Sequence, residues 1–203
     1  MGTLALAAAL VARFVAGPHG LQRRLAVGIS TLAETTYAIP GIVISIAFIL
    51  AFLKPLPILG VSVYNTLWII IFAYLCAFFA VALKPATAAS LQLDPALDEA
   101  AQVAGASWGR RMRRIFLPLL APAAASGAIL VFLTAYNEIT VSALLWSTGT
   151  ETIGMVIYNF EHGGYTTIAA AMSAITVAAT VALMGLLDWL GRRLPPGVVP
   201  WRL

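Results

Sequence analysis

The sequence predicts an all-α, polytopic membrane protein, and three observations carry that prediction. Of 203 residues, 61% are hydrophobic and only 10% charged, with a mean hydropathy of +0.94, well outside the range of soluble domains. Several apolar runs approach the roughly 20 residues that a helix needs to cross a bilayer. The basic residues fall on alternate connections between those runs, as the positive-inside rule requires.

Five runs are candidate spans: 3–16, 37–53, 67–83, 119–135 and 168–190. The first is short and carries Arg13 at its end. It reads as the tail of a spanning helix whose beginning is missing, or as a membrane-entry helix, and the single domain 1–203 is then incomplete at its N-terminus. A signal peptide fits poorly, because the positive charge follows the apolar run instead of preceding it. If the 22–24 loop is cytoplasmic, then Arg13, Arg23, Arg24, Lys84, Arg110, Arg111, Arg113, Arg114, Arg192, Arg193 and Arg202 lie on or at the edge of the cytoplasmic side, and only Lys54 faces out. This puts the N-terminus outside, the C-terminus in the cytoplasm, and the 84–118 loop in the cytoplasm. The basic pI near 9.6 then needs no nucleic acid, since these residues orient the chain and meet anionic headgroups of the lipid bilayer.

Chemistry within the chain is not expected. The single Cys76 sits in an apolar run, where a thiol behaves as a small hydrophobe. His19 and His162 have no second ligand at metal-binding spacing. No G-x-x-x-x-G-K-[ST] phosphate loop occurs; the letters G-x-S-x-G occur once, at Gly105-Ala106-Ser107-Trp108-Gly109, between two expected helices and not on the strand-to-helix turn that a nucleophile elbow needs. No catalytic, metal or cofactor residue is therefore assigned.

The polar island at 94–118 is the exception to the apolar pattern. Asp94-Pro95 has the form of a helix start, with Asp as N-cap and Pro at the first helical position, and Asp98 and Glu99 put negative charge near its first turn. Gly105 is suited to end that helix and turn the chain. Ser107 is placed to cap a second helix running to Arg114 or Ile115, closed by Pro118. The expectation is two short surface helices at a glycine elbow, with Arg110, Arg111, Arg113 and Arg114 as a topology anchor.

The spacing Glu99-Ala100-Ala101, Gly105, Ile115 and Leu117-Pro118 resembles the cytoplasmic EAA loop of binding-protein-dependent ABC importer permeases. The resemblance implies that 95–104 is a coupling helix seated on a separate ATP-hydrolysing subunit. On this chain it points to Asp98, Glu99, Ala100, Ala101, Ala104, Gly105, Ile115, Leu117 and Pro118 as the coupling residues. It also implies the partners: two ATP-binding subunits that hold ATP and Mg, a second permease domain (a second copy, a paired subunit or a fused copy), and an extracytoplasmic substrate-binding protein. The location implied is the bacterial inner membrane.

The segment 136–167 is too apolar for a solvated loop and too interrupted for a span, and a short membrane-surface or re-entrant helix is expected at 153–160. Its wording narrows the resemblance. Asn137-Glu138, residues 140–147, Glu151-Thr152-Ile153-Gly154 and the ending 194–202 resemble the second half of ferric-iron permeases, and Tyr37-Ala38-Ile39-Pro40-Gly41 resembles the proline-containing entrance to a core helix there. Permeases for aminoethylphosphonate, polyamines, thiamine and sulfate share much of this pattern. Glu138 is the acidic residue expected at membrane depth, where ionisable groups are costly and tend to face a cavity; with Tyr136, Asn137 and Thr134 it forms the candidate pathway set. Glu151 and Glu161 suit the outer surface, and Asp188 with Trp189 and Arg192 an interfacial anchor. A gradient-driven secondary transporter would place ionisable groups in mid-membrane, and a structural membrane protein would leave the 99–118 spacing without a purpose.

Overall fold

Pro40 bends the first described stretch of the chain. The computed structural model describes residues 20–55, 60–193, 195 and 197–201. The run 3–16 with Arg13, together with His19, the side chain of Arg23, Leu194 and Arg202, lies outside the described residues. Helix α1 (Leu21–Ala38) is followed by α2 (Gly41–Phe52), and the two are bent by 111° at the intervening Ile39-Pro40. Proline disfavours helical geometry at the residue before it, and the Ile39 N–H closes α1 with a short bond to the Thr36 carbonyl at 3.1 Å. The Pro40 carbonyl then accepts from Val43 at 2.9 Å and opens α2. The expected 37–53 span is therefore not one straight helix. Its straight part has 12 residues and reaches only about 18 Å, short of a hydrocarbon core about 30 Å thick. The expected 22–24 loop is likewise helical, because no proline interrupts Leu21–Ala38 and its one glycine, Gly28, is tolerated within a helix.

Among the described residues three longer helices are each long and apolar enough to cross a membrane: α3 (Leu67–Gln92), α5 (Trp108–Tyr136) and α7 (Thr166–Gly191). Between them lie α4 (Pro95–Val103) and α6 (Ile153–His162), and a 3-10 turn at Ser142–Leu144. Among the described residues there is no strand. Helix α3 continues through Pro85 to Gln92, so residues 84–92, read from sequence as loop, extend the span. Their composition, rich in alanine, sustains helix beyond the one hydrogen bond that proline removes.

The chain divides into two compact units. The first comprises Met1–Glu34, Phe79–Phe132 and Asp188–Leu203, the second Thr35–Phe78 and Leu133–Leu187. In the first, small residues of α3 (Ala80, Ala82 and Ala86) and larger ones of α5 (Met112, Phe116, Leu120 and Val131) are buried. Alanines at such positions let helix backbones approach closely in lipid, where packing and not water exclusion holds helices together. In the second, Ile69, Ile70, Ala73 and Ala77 of α3 are buried, with Val141, Leu145 and Met155 from the loop and α6. The most apolar stretch of α7 has none of its residues buried within the chain.

Candidate functional site

The first unit carries the 94–118 island, and its backbone follows from local chemistry. Asp94 Oδ1 accepts from the Ala96 N–H at 2.9 Å, satisfying one of the free donors at the start of α4, and Pro95 occupies the first helical position. At the other end Ala106 N–H donates to the Ala101 carbonyl and Gly105 N–H to the Gln102 carbonyl, both at 2.9 Å. These two bonds make a complete Schellman motif, with Gly105 in the left-handed region at φ +72°. The four-residue separation of Ala101 and Gly105 is thus the separation between the third-last helical residue, whose carbonyl is capped, and the glycine that turns the chain.

The side chains of α4 divide into two faces. Glu99, Ala100 and Ala104 are exposed, with Val103 90% exposed and Leu97 also outward. Asp98 and Ala101 are half-buried. The Asp98 carboxylate meets Arg111 Nη1 at 2.7 Å. Sequence reasoning grouped Arg111 with the anchor cluster, but only Arg110, Arg113 and Arg114 stay exposed. The signal that could have separated it is the buried spacing Met112, Phe116, Leu120, which places Arg111 on the shoulder of an inward face.

The second helix of the island departs from expectation. Ser107 has the extended backbone of an N-cap, yet its side chain makes no cap bond; its carbonyl accepts from Arg111 N–H at 3.0 Å. Pro118 does not close the helix. From Trp108 the chain stays helical to Tyr136, passing through a π-helical turn at Met112–Phe116, with Leu117 N–H reaching back to the Met112 carbonyl. The wider turn shifts the hydrogen-bond register just before the residue that has no N–H, so the helix absorbs the proline. The stretch expected as a second short helix is therefore the first part of one helix of spanning length. Ile115 and Leu117 are half-buried and Pro118 is exposed.

The second unit holds the candidate pathway residues. Glu138 is 9% exposed, and its carboxylate is engaged: it accepts from Thr140 Oγ1 at 2.7 Å, Val141 N–H at 2.5 Å and Ser142 N–H at 3.2 Å. It thereby satisfies the free donors that open the 3-10 turn at Ser142–Leu144. Ser45 Oγ of α2 donates to the Val141 carbonyl at 2.6 Å, which fastens the turn to α2. The Tyr74 hydroxyl is buried beside Glu138 and Ser142 without an ordinary hydrogen bond. Gly41 completes the contact, since a Cβ there would collide with the Thr140 hydroxyl and lie 2.9 Å from Val141 Cγ2.

A cavity of about 630 Å³ adjoins this turn, lined by Thr36, Tyr37, Ile39, Thr134, Asn137 and Glu138 among others. Asn137 is exposed and its amide donates to the Leu133 carbonyl at 3.0 Å. The structure thus brings Thr134, Asn137 and Glu138 to one cavity with the 36–41 bend, while Tyr136 is not among the lining residues. Helix α6 forms where a short helix was expected, with Thr152 Oγ1 accepting from Met155 N–H at 3.4 Å. Among the described residues no cluster of His, Cys, Asp or Glu could hold a metal ion.

Residues 5–199 match the model of the binding-protein-dependent transport system inner membrane component family. The chain belongs to this family. It is accordingly a multi-pass inner-membrane component of the ABC importer permease kind. It is 29% identical over 160 residues to a probable ABC transporter permease protein, y4fN, of Sinorhizobium fredii, covering 77% of this chain and 28% of that protein. It is 27% identical over 158 residues to a putative 2-aminoethylphosphonate transport system permease protein, PhnV, of Salmonella paratyphi A, covering 77% and 58%. To the ferric transport system permease protein FbpB of Actinobacillus pleuropneumoniae it is 28% identical over 160 residues, covering 78% and 23%. The aligned part is thus less than two thirds of the length of each of these relatives. In fold it is similar to a chain of a bacterial alginate ABC transporter solved in complex with an alginate pentasaccharide-bound periplasmic protein, with a TM-score of 0.73 at 20% identity over 94% of this chain and 75% of that one.

Proposed function

We propose that this permease passes ferric iron inward through an importer driven by ATP and fed by a binding protein, and that the 94–118 island couples it to a separate ATPase subunit. The observation that carries the coupling assignment is the outward face of α4. Glu99, Ala100, Val103 and Ala104 expose one carboxylate among small and apolar side chains, on a helix whose ends are set by its Asp94 cap and its Gly105 elbow. Small residues admit a close partner surface, and an apolar patch on a helix favours docking over solvation. Nucleotide chemistry then belongs to the partner, two copies of which hold ATP and Mg, since this sequence contains no phosphate loop. The complex further comprises a second permease domain and an extracytoplasmic binding protein.

Ferric iron as cargo is supported by the wording of 136–154 and by the likeness to a ferric permease; the likeness to an aminoethylphosphonate permease supports that substrate as the alternative. Asn137, Thr134 and Tyr136 are assigned to the pathway side. At Glu138 a specific observation favours a second role, because three donors already hold its carboxylate in the 138–142 turn.

Glu99→Lys and Gly105→Pro test the coupling assignment in the reconstituted transporter. Both variants should insert normally yet lose ATPase co-purification or uncouple hydrolysis from uptake. Unchanged coupled uptake by correctly assembled variants would sink it. The cargo is decided by the ligand that the cognate binding protein retains on purification.

A further inference from the structure

Asp98 and Arg111 stand on opposite sides of the Gly105 elbow. They are 13 positions apart, one in the first turn of α4 and the other at the start of α5, yet Arg111 Nη1 donates to Asp98 Oδ1 at 2.7 Å. The two side chains are only 15% and 17% exposed, so this pair is largely shielded from water and salt, unlike the surface ion pairs that contribute little. Gln102 Nε2 donates to the other carboxylate oxygen at 3.3 Å, which leaves Asp98 held from both helices. Arg111 Nε is buried without a partner, a cost that a merely solvated anchor would not carry. The position of Arg111 is also unfavourable locally, because a cation near the start of a helix opposes its dipole. Asp98 is what offsets both.

The elbow needs such a link. The Schellman bonds fix where α4 ends, but Gly105 has open space around it, and glycine passes readily between backbone regions. A push on α4 could therefore be lost as rotation at the elbow. Arg111 is followed directly by the π-helical turn with Met112 and Phe116 buried, so whatever moves Arg111 moves the base of α5.

We propose that Asp98 and Arg111 are a positioning pair, a clamp across the Gly105 elbow that makes α4 and the base of α5 move as one body. This rests on the docking role proposed for the outward face of α4. The clamp itself does not touch the ATPase subunit; it determines how much of the displacement delivered to α4 reaches the membrane helices.

The test uses the assembled transporter in proteoliposomes, with ferric iron and 2-aminoethylphosphonate as alternative probes, and reads probe taken up per phosphate released. In Asp98→Asn and in Arg111→Gln this ratio should fall about five-fold, the lower end of ordinary coupling between sites, while the ATPase subunit still co-purifies. The conservative pair Asp98→Glu with Arg111→Lys should restore it. An unchanged ratio in both single variants overturns the clamp, as does loss of the ATPase subunit from a folded single variant, which would make the pair part of the docking surface. If a single variant does not fold, Asp98→Leu with Arg111→Met keeps the packing without the charges, and a wild-type ratio in that protein overturns the clamp as well. Glu99→Lys, measured alongside, separates the two ideas: retained coupling there overturns the docking role together with the clamp, whereas retained coupling confined to the Asp98 and Arg111 variants overturns the clamp alone.

Discussion

The 94–118 island and the 138–142 turn are both polar structures in an apolar chain, but they are built at different ranges. In the island nearly every bond closes within five residues: the Asp94 cap, the two elbow bonds, and the reach-back of Leu117 across the π-helical turn. The Glu138 turn is also locally bonded, yet it is fastened by groups far away in sequence. Ser45 reaches Val141 across 96 positions, and beyond the turn Ser147 ties the same segment to the Asn65 carbonyl across 82. The first presents Glu99 outward among small and apolar side chains, where another protein can read it. The second turns its carboxylate inward, where it holds the chain's own backbone. A buried acid in a transporter is thus not automatically a ligand for the cargo; its hydrogen bonds decide which it is.

The long-range fastening of the turn is most severely broken at Gly41. A side chain there must displace Thr140 and Val141, so Gly41→Val should destabilise the protein by about 3 kcal/mol, the upper end for overpacking. The thermal midpoint of the detergent-solubilised protein measures this. A midpoint within error of the parent protein would mean that α2 and the turn are not in firm contact, and the contrast between the two regions would fail.

Glu138→Gln comes next in size. The amide offers one oxygen where two carried three donors and points an N–H₂ at groups that are themselves donors, so the loss should be about 2 kcal/mol, as for hydrogen bonds to a charged group. The comparison sharpens on which property moves. If Glu138 chiefly holds the turn, stability falls and uptake falls with it. If it chiefly serves the cargo, uptake collapses while the thermal midpoint stays put.

The difference in range also explains what was legible. The Asp94-Pro95 start, the Gly105 elbow and α6 could be read from sequence, because caps and turns are set by neighbouring residues. Helix α5 could not be ended correctly: Pro118 looked like a stop, since nothing in the local pattern foretells a π-helical turn that takes up its missing N–H. The bend at Ile39-Pro40 was hidden inside what read as one apolar span, because hydropathy counts residues and is blind to direction. Arg111 was missed for a related reason, as four arginines in five positions look alike until the buried face of Met112, Phe116 and Leu120 separates them. Asn137 and Glu138 were picked out by residue type, but that the Glu138 carboxylate is held by the backbone of the turn depended on Val141 and Ser142 lying there.

The smallest effect gives the cleanest control on the island. Gly105 and Gly109 both have open space where a Cβ would go, so crowding cannot distinguish them. What differs is backbone: Gly105 sits at φ +72°, whereas Gly109 lies within helix α5. Gly105→Ala should therefore cost about 1 kcal/mol, the penalty an alanine meets in the left-handed region. Gly109→Ala should instead stabilise by up to about 1 kcal/mol, through the better helix propensity of alanine. Opposite shifts in the thermal midpoint are expected from two substitutions of the same kind only four residues apart. Equal shifts would mean that the elbow is not held in the left-handed conformation, and that the spacing from Ala101 to Gly105 has some origin other than the Schellman bonds.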